Sequence, residues 1–315
     1  MDQNGGRAVS GTAPPEDSGR EHGDGDEPFR SGFVAIIGRP NVGKSTLINR
    51  MLGQKVSIVS DKPNTTRTPI RGVLQRRDAQ LVLVDTPGLH KPRTLLGERL
   101  NAAATSASEG VDVVCLVIDA RAGLGRGDRR LLAELPADGV VVLNKVDGID
   151  PAKVLTQLGA VAATFGSTGG ERGDAHEYFA LSASTGQGVG ELVEHLVGRM
   201  PPGPAFFPVD QVTDTPEAFW VAELVREQLL ARTYEELPHS IATRVTEWEW
   251  PRIRCEILVE RESQKGIVIG KGGENLKAAG TAVRGQLAPG AFIELHVRVS
   301  KDWQRRARAL DDLGL

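Results

Sequence analysis

Gly38-Arg39-Pro40-Asn41-Val42-Gly43-Lys44-Ser45 is the first stretch of the chain equipped for chemistry. Its spacing, G-x-x-x-x-G-K-[ST], is that of a phosphate-binding P-loop. Gly38 and Gly43 permit a tight turn whose backbone N–H groups converge on phosphate oxygens, and a following helix adds the positive end of its dipole. Lys44 supplies a mobile charge for the β and γ phosphates. The Ser45 hydroxyl is a ligand type suited to Mg²⁺, and Thr46 continues the loop into the helix.

Two further motifs follow in the order that chemistry requires. Val84-Asp85-Thr86-Pro87-Gly88 lies ~40 residues after the P-loop, the place of a Walker-B carboxylate. Asp85 reads as a holder of the magnesium shell, through water or directly, and the Gly88 N–H as a donor to a γ-phosphate oxygen. Asn144-Lys145-Val146-Asp147 supplies a carboxylate able to accept from guanine N1–H and N2–H₂. Adenine offers neither donor, so a buried Asp147 would be left unpaired by ATP. Asn144 is expected to tie this loop to the P-loop, and the Lys145 stem to lie against the base. Ser182 and Ala183 end a later strand, where a backbone N–H meets guanine O6. Together these residues specify GTP and GDP with Mg²⁺.

Between the first two motifs lies the polar, proline-interrupted Asp61-Lys62-Pro63-Asn64-Thr65-Thr66-Arg67-Thr68. It reads as a mobile loop ordered by GTP and released by GDP. Thr66 is the chosen Mg²⁺ ligand, with Thr65 a competitor. Lys44, Thr66, Asp85 and Gly88 are the residues expected to serve hydrolysis. Leu89 stands where many such enzymes carry a water-orienting Gln. A leucine cannot hydrogen-bond to water, so slow intrinsic turnover is expected, faster with a partner or a monovalent cation. His90 is a candidate base only if geometry supports it.

These motifs need a scaffold that brings strand ends together. Short apolar runs alternate with helical patterns from Phe33 to Met200. Candidate strands are Phe33–Ile37, Gly72–Gln75, Gln80–Val84, Val113–Ile118, Val140–Leu143 and Phe179–Leu181. The pattern predicts an α/β domain over 31–200, a mainly parallel six-stranded sheet with helices on both faces. The short gap Arg76–Ala79 makes its flanking strands antiparallel. Residues 1–30 carry seven acidic and three basic side chains and read as a disordered acidic tail. Residues 166–174 read as a flexible surface insertion, and 201–214 as a linker in which Phe206 and Phe207 dock on a neighbour.

Residues 215–315 follow a different plan, αββααβ, with Gly270-Lys271-Gly272-Gly273 joining the two central helices. This is the order of a type II KH module, whose G-x-x-G backbone clamps about four single-stranded nucleotides. Lys271 sits in the loop and Lys277 beyond it as phosphate partners. A closing helix is expected from Asp302 to Leu313.

Composition sets limits. The 315 residues suit two domains at a prior of ~150 residues each. A net charge of −3 argues against a globally basic nucleic-acid binder. No run approaches the ~18 apolar residues of a membrane helix, and the first thirty residues lack a secretory apolar stretch. Cys115 and Cys255 lie far apart in apolar runs and read as buried free thiols.

The P-loop, Thr65-Thr66-Arg67, Asp85–Gly88, Asn144–Asp147, Glu235-Glu236-Leu237-Pro238-His239-Ser240, the G-x-x-G loop and the ending from Trp303 to Leu315 together resemble the Era family of bacterial ribosome-associated GTPases, over residues 32–315. The resemblance implies a KH domain that binds the 3′ end of small-subunit (16S) ribosomal RNA and a role in maturing the small ribosomal subunit. It implies a cytoplasmic protein, often loosely associated with the inner membrane, and nothing demands more than a monomer. It also implies a K⁺ site at Asn41. A plain RNA-binding module with a vestigial nucleotide domain is the alternative; the intact Lys44, Ser45, Asp85 and Asp147 argue against it. A metabolite kinase is opposed by Asn144–Asp147.

Overall fold

The computed structural model describes residues 28–166, 176–234 and 237–315. The sequence readings of a disordered tail before residue 28, of the insertion at 167–174, and of Glu235 and Glu236 lie outside the described residues.

The first body runs β1 (Arg30–Ile37), α1 (Lys44–Leu52), β2 (Ile70–Gln75), β3 (Ala79–Asp85), α2 (Leu95–Ser106), β4 (Val113–Asp119), α3 (Arg126–Glu134), β5 (Val140–Asn144), α4 (Pro151–Gly166), β6 (Glu177–Ala180) and α5 (Val189–Arg199). The sheet order is β2-β3-β1-β4-β5-β6. Every pairing is parallel except β2 with β3, which run antiparallel with Val73 opposite Val82. Strands such as Val34–Ile37 are apolar on both faces because both faces are covered. Val34 and Ile36 pack with α1 and α5, whereas Ala35 and Ile37 pack with α3 and α4.

The second body runs α6 (Glu217–Leu230), α7 (Leu237–Ser240), β7 (Ala242–Glu249), β8 (Arg252–Val259), α8 (Glu262–Ile269), α9 (Glu274–Arg284), β9 (Phe292–Val299) and α10 (Ala307–Asp311). Its sheet order is β7-β8-β9, the first pair antiparallel and the second parallel. Ile253, Cys255, Ile257 and Val259 are all fully buried toward the helices, as the period of two requires. Both cysteines are free and buried.

The expected closing helix is broken. Trp303–Arg305 forms a single 3-10 turn, Arg306 leaves helical geometry (φ −104°, ψ 115°), and only then does α10 begin. Tertiary anchoring overrides local propensity here. Trp303 is fully buried, and its Nε1 donates to Ser240 O at 2.9 Å. It packs with Leu96 and Leu100 of α2, Ala242, Leu258 and Leu310. The first body's α2 is therefore pinned to the end of the chain.

Residues 201–214 lie along the first sheet. Val73 N–H donates to Val212 O at 2.7 Å, and Gly72 bridges Thr213. The wholly buried Gln80 side chain accepts from Phe206 and Phe207 N–H and donates to Phe207 O. The Phe206 ring stacks, tilted, on Phe33 with centroids 4.8 Å apart. Among the described residues no helix is long and apolar enough to cross a membrane.

Candidate functional site

The P-loop joins the C-terminal end of β1 to α1, so its residues sit where open α/β sheets bind ligands. Asn41 (φ 64°) and Gly43 (φ 99°) take left-handed conformations. Lys44 is buried, and its Nζ donates to the carbonyls of Gly38 and Arg39, both at 3.1 Å. Burial lowers its pKa to about 8, opposed by the charge of Asp85. Gly88 is required for contact: a Cβ there would lie 2.7 Å from Pro40 N and 2.8 Å from Pro40 Cα. The two motifs approach too closely for any side chain. The next N–H, that of Leu89, donates to Gly38 O at 3.2 Å, and Leu89 packs against the core between α3 and α4.

Asp85 is fully buried at the end of β3. Its Oδ2 accepts from Ser45 Oγ at 2.7 Å and from Thr66 Oγ1 at 3.1 Å, and the two hydroxyls are 3.0 Å apart. Burial pushes the Asp85 carboxyl above its ordinary range, against the Lys44 charge and the hydroxyl donors. Its Oδ1 is buried without a partner. Two hydroxyls and a carboxylate with a spare oxygen form a hard-oxygen set that suits a small dication. Thr65 is elsewhere: its hydroxyl donates to Lys62 O at 2.7 Å. Asn41 Nδ2 donates to Asp61 O at 2.6 Å. A cavity of about 340 Å³ is bounded by these P-loop residues, by 58–61 and 64–66, and by Gly88 and Lys145.

The base-reading loop is built around Asn144. Its Nδ2 donates to Val42 O at 2.9 Å, and its Oδ1 accepts from the N–H groups of Lys145 and Ala183. The Ser182 N–H donates to Gln187 O. The backbone N–H groups of Ser182 and Ala183, from which a donor to guanine O6 is expected, are thus both engaged within the protein, because the tie to the P-loop uses Ala183 and the following turn uses Ser182. Lys145 (φ 66°) stretches across the site, its Nζ 2.7 Å from Asp119 Oδ2. Burial opposes ionisation of Asp119, yet the Lys145 ammonium holds its carboxyl below the ordinary value. Asp147 is half-buried rather than buried. Its Oδ1 accepts from Ser182 Oγ at 2.7 Å, which holds the carboxyl below its usual range, and Arg121 rests on Oδ2. Val146 packs beneath the loop.

His90 does not face the phosphate cavity. Its Nδ1 lies 3.1 Å from Gly88 O, and the ring lines a separate cleft against the second body.

The G-x-x-G loop is a bare turn between α8 and α9. Gly270, Gly272 and Gly273 all have positive φ, and a Cβ on Gly272 would meet nothing within 4 Å. Gly272 and Gly273 thus supply backbone freedom and an uncovered approach, whereas Gly270 is also needed for space, since a Cβ there would lie 2.9 Å from Asn275 Cγ. Lys271 and Lys277 are exposed beside it, and Ile267 presents an exposed apolar side chain on α8.

The two sites are joined through the Asp61–Thr68 loop. Arg67 is buried, donating to Ile241 O at 2.7 Å with its guanidinium 5.5 Å from the Trp303 ring. Arg226 of α6, also buried, pairs with Glu223 and donates to Thr65 O. Glu227 accepts from Val59 N–H at 2.9 Å and from Lys55 Nζ at 2.5 Å. The second body therefore grips the residues on either side of Thr66.

Two family models match: a 50S ribosome-binding GTPase over residues 33–145 and a KH domain over 236–304. GTPase Era of Mycobacterium sp. strain JLS is 44% identical over 303 residues, covering 91% of this chain and 99% of that protein. The chain belongs to the Era family of GTPases. GTPase Era of Mycolicibacterium smegmatis is 43% identical with the same coverage. Among solved structures, Era in complex with MgGDPNP and nucleotides 1506–1542 of 16S ribosomal RNA superposes with a TM-score of 0.84 at 36% identity. A point variant of Aquifex aeolicus Era bound to GDP·AlF4⁻ gives 0.81 at 36%. Each covers 91% of this chain and 99% of its own.

Sequence reasoning about this Era-family chain missed Asp119, Arg121, Glu223 and Arg226. Only the last two left a local signal: a charged i,i+3 pair within the apolar run Val221–Leu230.

Proposed function

We propose that this Era-family GTPase is a GTP-hydrolysing switch whose KH module binds the 3′ end of 16S ribosomal RNA and assists maturation of the small ribosomal subunit. One observation carries the reading. Thr66, whose hydroxyl meets Ser45 on Asp85, is flanked by Thr65 and Arg67, and both neighbours are held by the KH module.

In this reading the P-loop N–H groups and Lys44 bind the phosphates, and Lys44 exchanges its two carbonyl partners for phosphate oxygens. Ser45 and Thr66 would hold Mg²⁺ directly and Asp85 would orient its water shell. Mg²⁺ supplies charge neutralisation of the β and γ phosphates. Asp147 reads guanine once Arg121 moves off its Oδ2. With Leu89 half-buried against the core, no side chain at that position hydrogen-bonds to the attacking water, so intrinsic hydrolysis is slow. A monovalent cation beside Asn41, where the amide meets Asp61 O, is part of the proposal, as are a monomeric state, a cytoplasmic location and loose attachment to the inner face of the membrane. Flotation with lipid vesicles tests the attachment.

The deciding experiment measures binding of a short RNA copying the 3′ end of 16S ribosomal RNA in the GTP-analogue, GDP and empty states, with Gly272→Asp as the clamp-breaking control. Tighter binding with the analogue, lost in the variant, is expected. Equal binding in all three states would remove the gating, and no binding would remove the RNA target. GTP turnover abolished by Lys44→Ala separates this reading from an RNA-binding module with a vestigial nucleotide domain.

A further inference from the structure

Arg39 belongs to the P-loop, yet its side chain turns away from the phosphates. The phosphate cavity is walled on that side by Pro40, Asn41, Gly43, Lys44 and Ser45, without Arg39. The Arg39 side chain lies instead across the start of α3, where its Nη1 donates to Asp128 Oδ2 at 3.0 Å. Asp128 is almost wholly buried. The same Oδ2 accepts from Gly125 N–H at 2.9 Å and so caps α3, while Oδ1 is buried without a partner. A buried carboxylate is destabilising unless it is paired, and among the described residues Arg39 is the cation that pairs with this one.

The surface beneath Arg39 is shaped by missing side chains. A Cβ on Gly125 would lie 2.9 Å from Arg39 Nη1, and one on Gly127 would lie 3.0 Å from Arg39 Cδ. Gly125 has an ordinary extended backbone (φ −88°), and Gly127 is not among the residues of positive φ. Space rather than backbone freedom is therefore what these two positions supply. Gly127 stands inside α3, where glycine is less favourable than alanine. The room that it opens is filled by the Arg39 stem.

The chain on either side of this seat leads to the reacting end of the nucleotide. Arg39 O is one of the two carbonyls that receive the Lys44 ammonium. Pro40, the next residue, is the one that Gly88 approaches too closely for any side chain. A displaced Arg39 thus shifts both Lys44 and the contact that sets the Gly88 N–H. GTP places a γ-phosphate there and GDP does not.

We propose that Arg39 and Asp128 are positioning residues for GTP hydrolysis: Arg39, seated in the groove between Gly125 and Gly127 and held by Asp128, fixes the P-loop at Pro40 so that Lys44 and Gly88 meet the γ-phosphate together. The proposal rests on the GTP-hydrolysing reading above.

Gly127→Ala tests it in the full chain. The added methyl displaces the Arg39 stem, while alanine strengthens the helix that carries it. A merely structural role for this place predicts a thermal midpoint held or raised and unchanged turnover. The positioning role predicts the same thermal midpoint, unchanged GDP affinity, and kcat lower by about 10²-fold, the effect of a misplacement of about 1 Å. Arg39→Ala is expected to lower kcat to the same extent. The double variant Arg39→Ala/Gly127→Ala should fall no further, because both changes act through one contact. Wild-type kcat in Gly127→Ala overturns the proposal. So do losses that multiply in the double variant, which assign the two residues to separate causes, and so does an equal loss of affinity for GDP and a GTP analogue, which assigns Arg39 to the folding of the loop. Wild-type turnover that survives Lys44→Ala would remove the P-loop from hydrolysis, and this positioning role with it.

Discussion

The guanidinium of Arg226 donates to the carbonyl of Thr65, one residue before the hydroxyl that meets Ser45 on Asp85. Arg226 is held in turn by Glu223, and both side chains are almost completely buried. Removing one partner of such a pair leaves an uncompensated charge and costs about 3–5 kcal/mol. Arg226→Ala is therefore expected to lower stability by that order in urea unfolding. The paired replacement Arg226→Met with Glu223→Leu should recover most of it, while RNA binding no longer responds to nucleotide. Equal stability of Arg226→Ala and wild type would show that the pair holds nothing.

Lys44 makes the nucleotide-free protein sensitive to pH. Burial holds its pKa at about 8, against 10.5 for the free side chain. Between these values the unfolded chain binds a proton that the folded chain has released. Stability therefore rises with pH from about 8 toward 10.5, and below 8 the buried charge is paid in full. Lys44→Met is expected to flatten this rise in urea midpoints measured across the window. A rise of the same size in the variant would assign it to another group.

Arg121 and guanine compete for one oxygen of Asp147. The Arg121–Asp147 pair is largely exposed, and such pairs contribute about 0.2–1 kcal/mol. Arg121→Ala should raise GDP affinity by no more than roughly fivefold, as 1.4 kcal/mol is tenfold. Weaker binding in the variant would mean that Arg121 helps to hold the base.

Asp147→Asn replaces two acceptors by one acceptor and one donor, the complement of xanthine N1–H and O2. Base preference should turn from GTP to XTP, with GTP binding falling by about 10⁴-fold because a polar contact is left unpaired. Retained GTP preference in competition binding would show that Asp147 does not read the base.

Trp303 ties the end of the chain to α2 and to Ser240. Trp303→Ala is expected to cost about 3–5 kcal/mol. Trp303→Phe, which keeps one six-membered ring but loses the pyrrole half of the indole and with it the 2.9 Å hydrogen bond to Ser240 O, should cost less, about 1–3 kcal/mol. Similar losses in the two variants would mean that the hydrogen bond outweighs the packing.

The parts legible in the sequence are those in which spacing along the chain is spacing in the fold. The strand–loop–helix around Lys44, the antiparallel β2–β3 pair and the alternation of Ile253, Cys255, Ile257 and Val259 follow from local pattern and appear as read. The Asn144 tie to the P-loop also appears, at Val42 O. The parts not legible join residues far apart in sequence. Arg67 reads as one polar residue in a polar loop, yet it is buried because β7 and Trp303 close over it. Lys145 with Asp119 and Arg121 with Asp147 each span 26 residues and two strand ends. Trp303 misled in the other direction, since local propensity favours one helix where packing imposes a turn and a break.

The pairing of Val73 with Val212 and of Gly72 with Thr213 has a practical consequence for dissecting the molecule. Strand β2 is the outer strand of its sheet, and an uncovered outer strand is a template for pairing with another molecule. A GTPase fragment cut at Met200 would lay that edge bare, together with the Phe33 face now under Phe206, and should aggregate. One cut after Thr213 carries its own cover and should stay monodisperse.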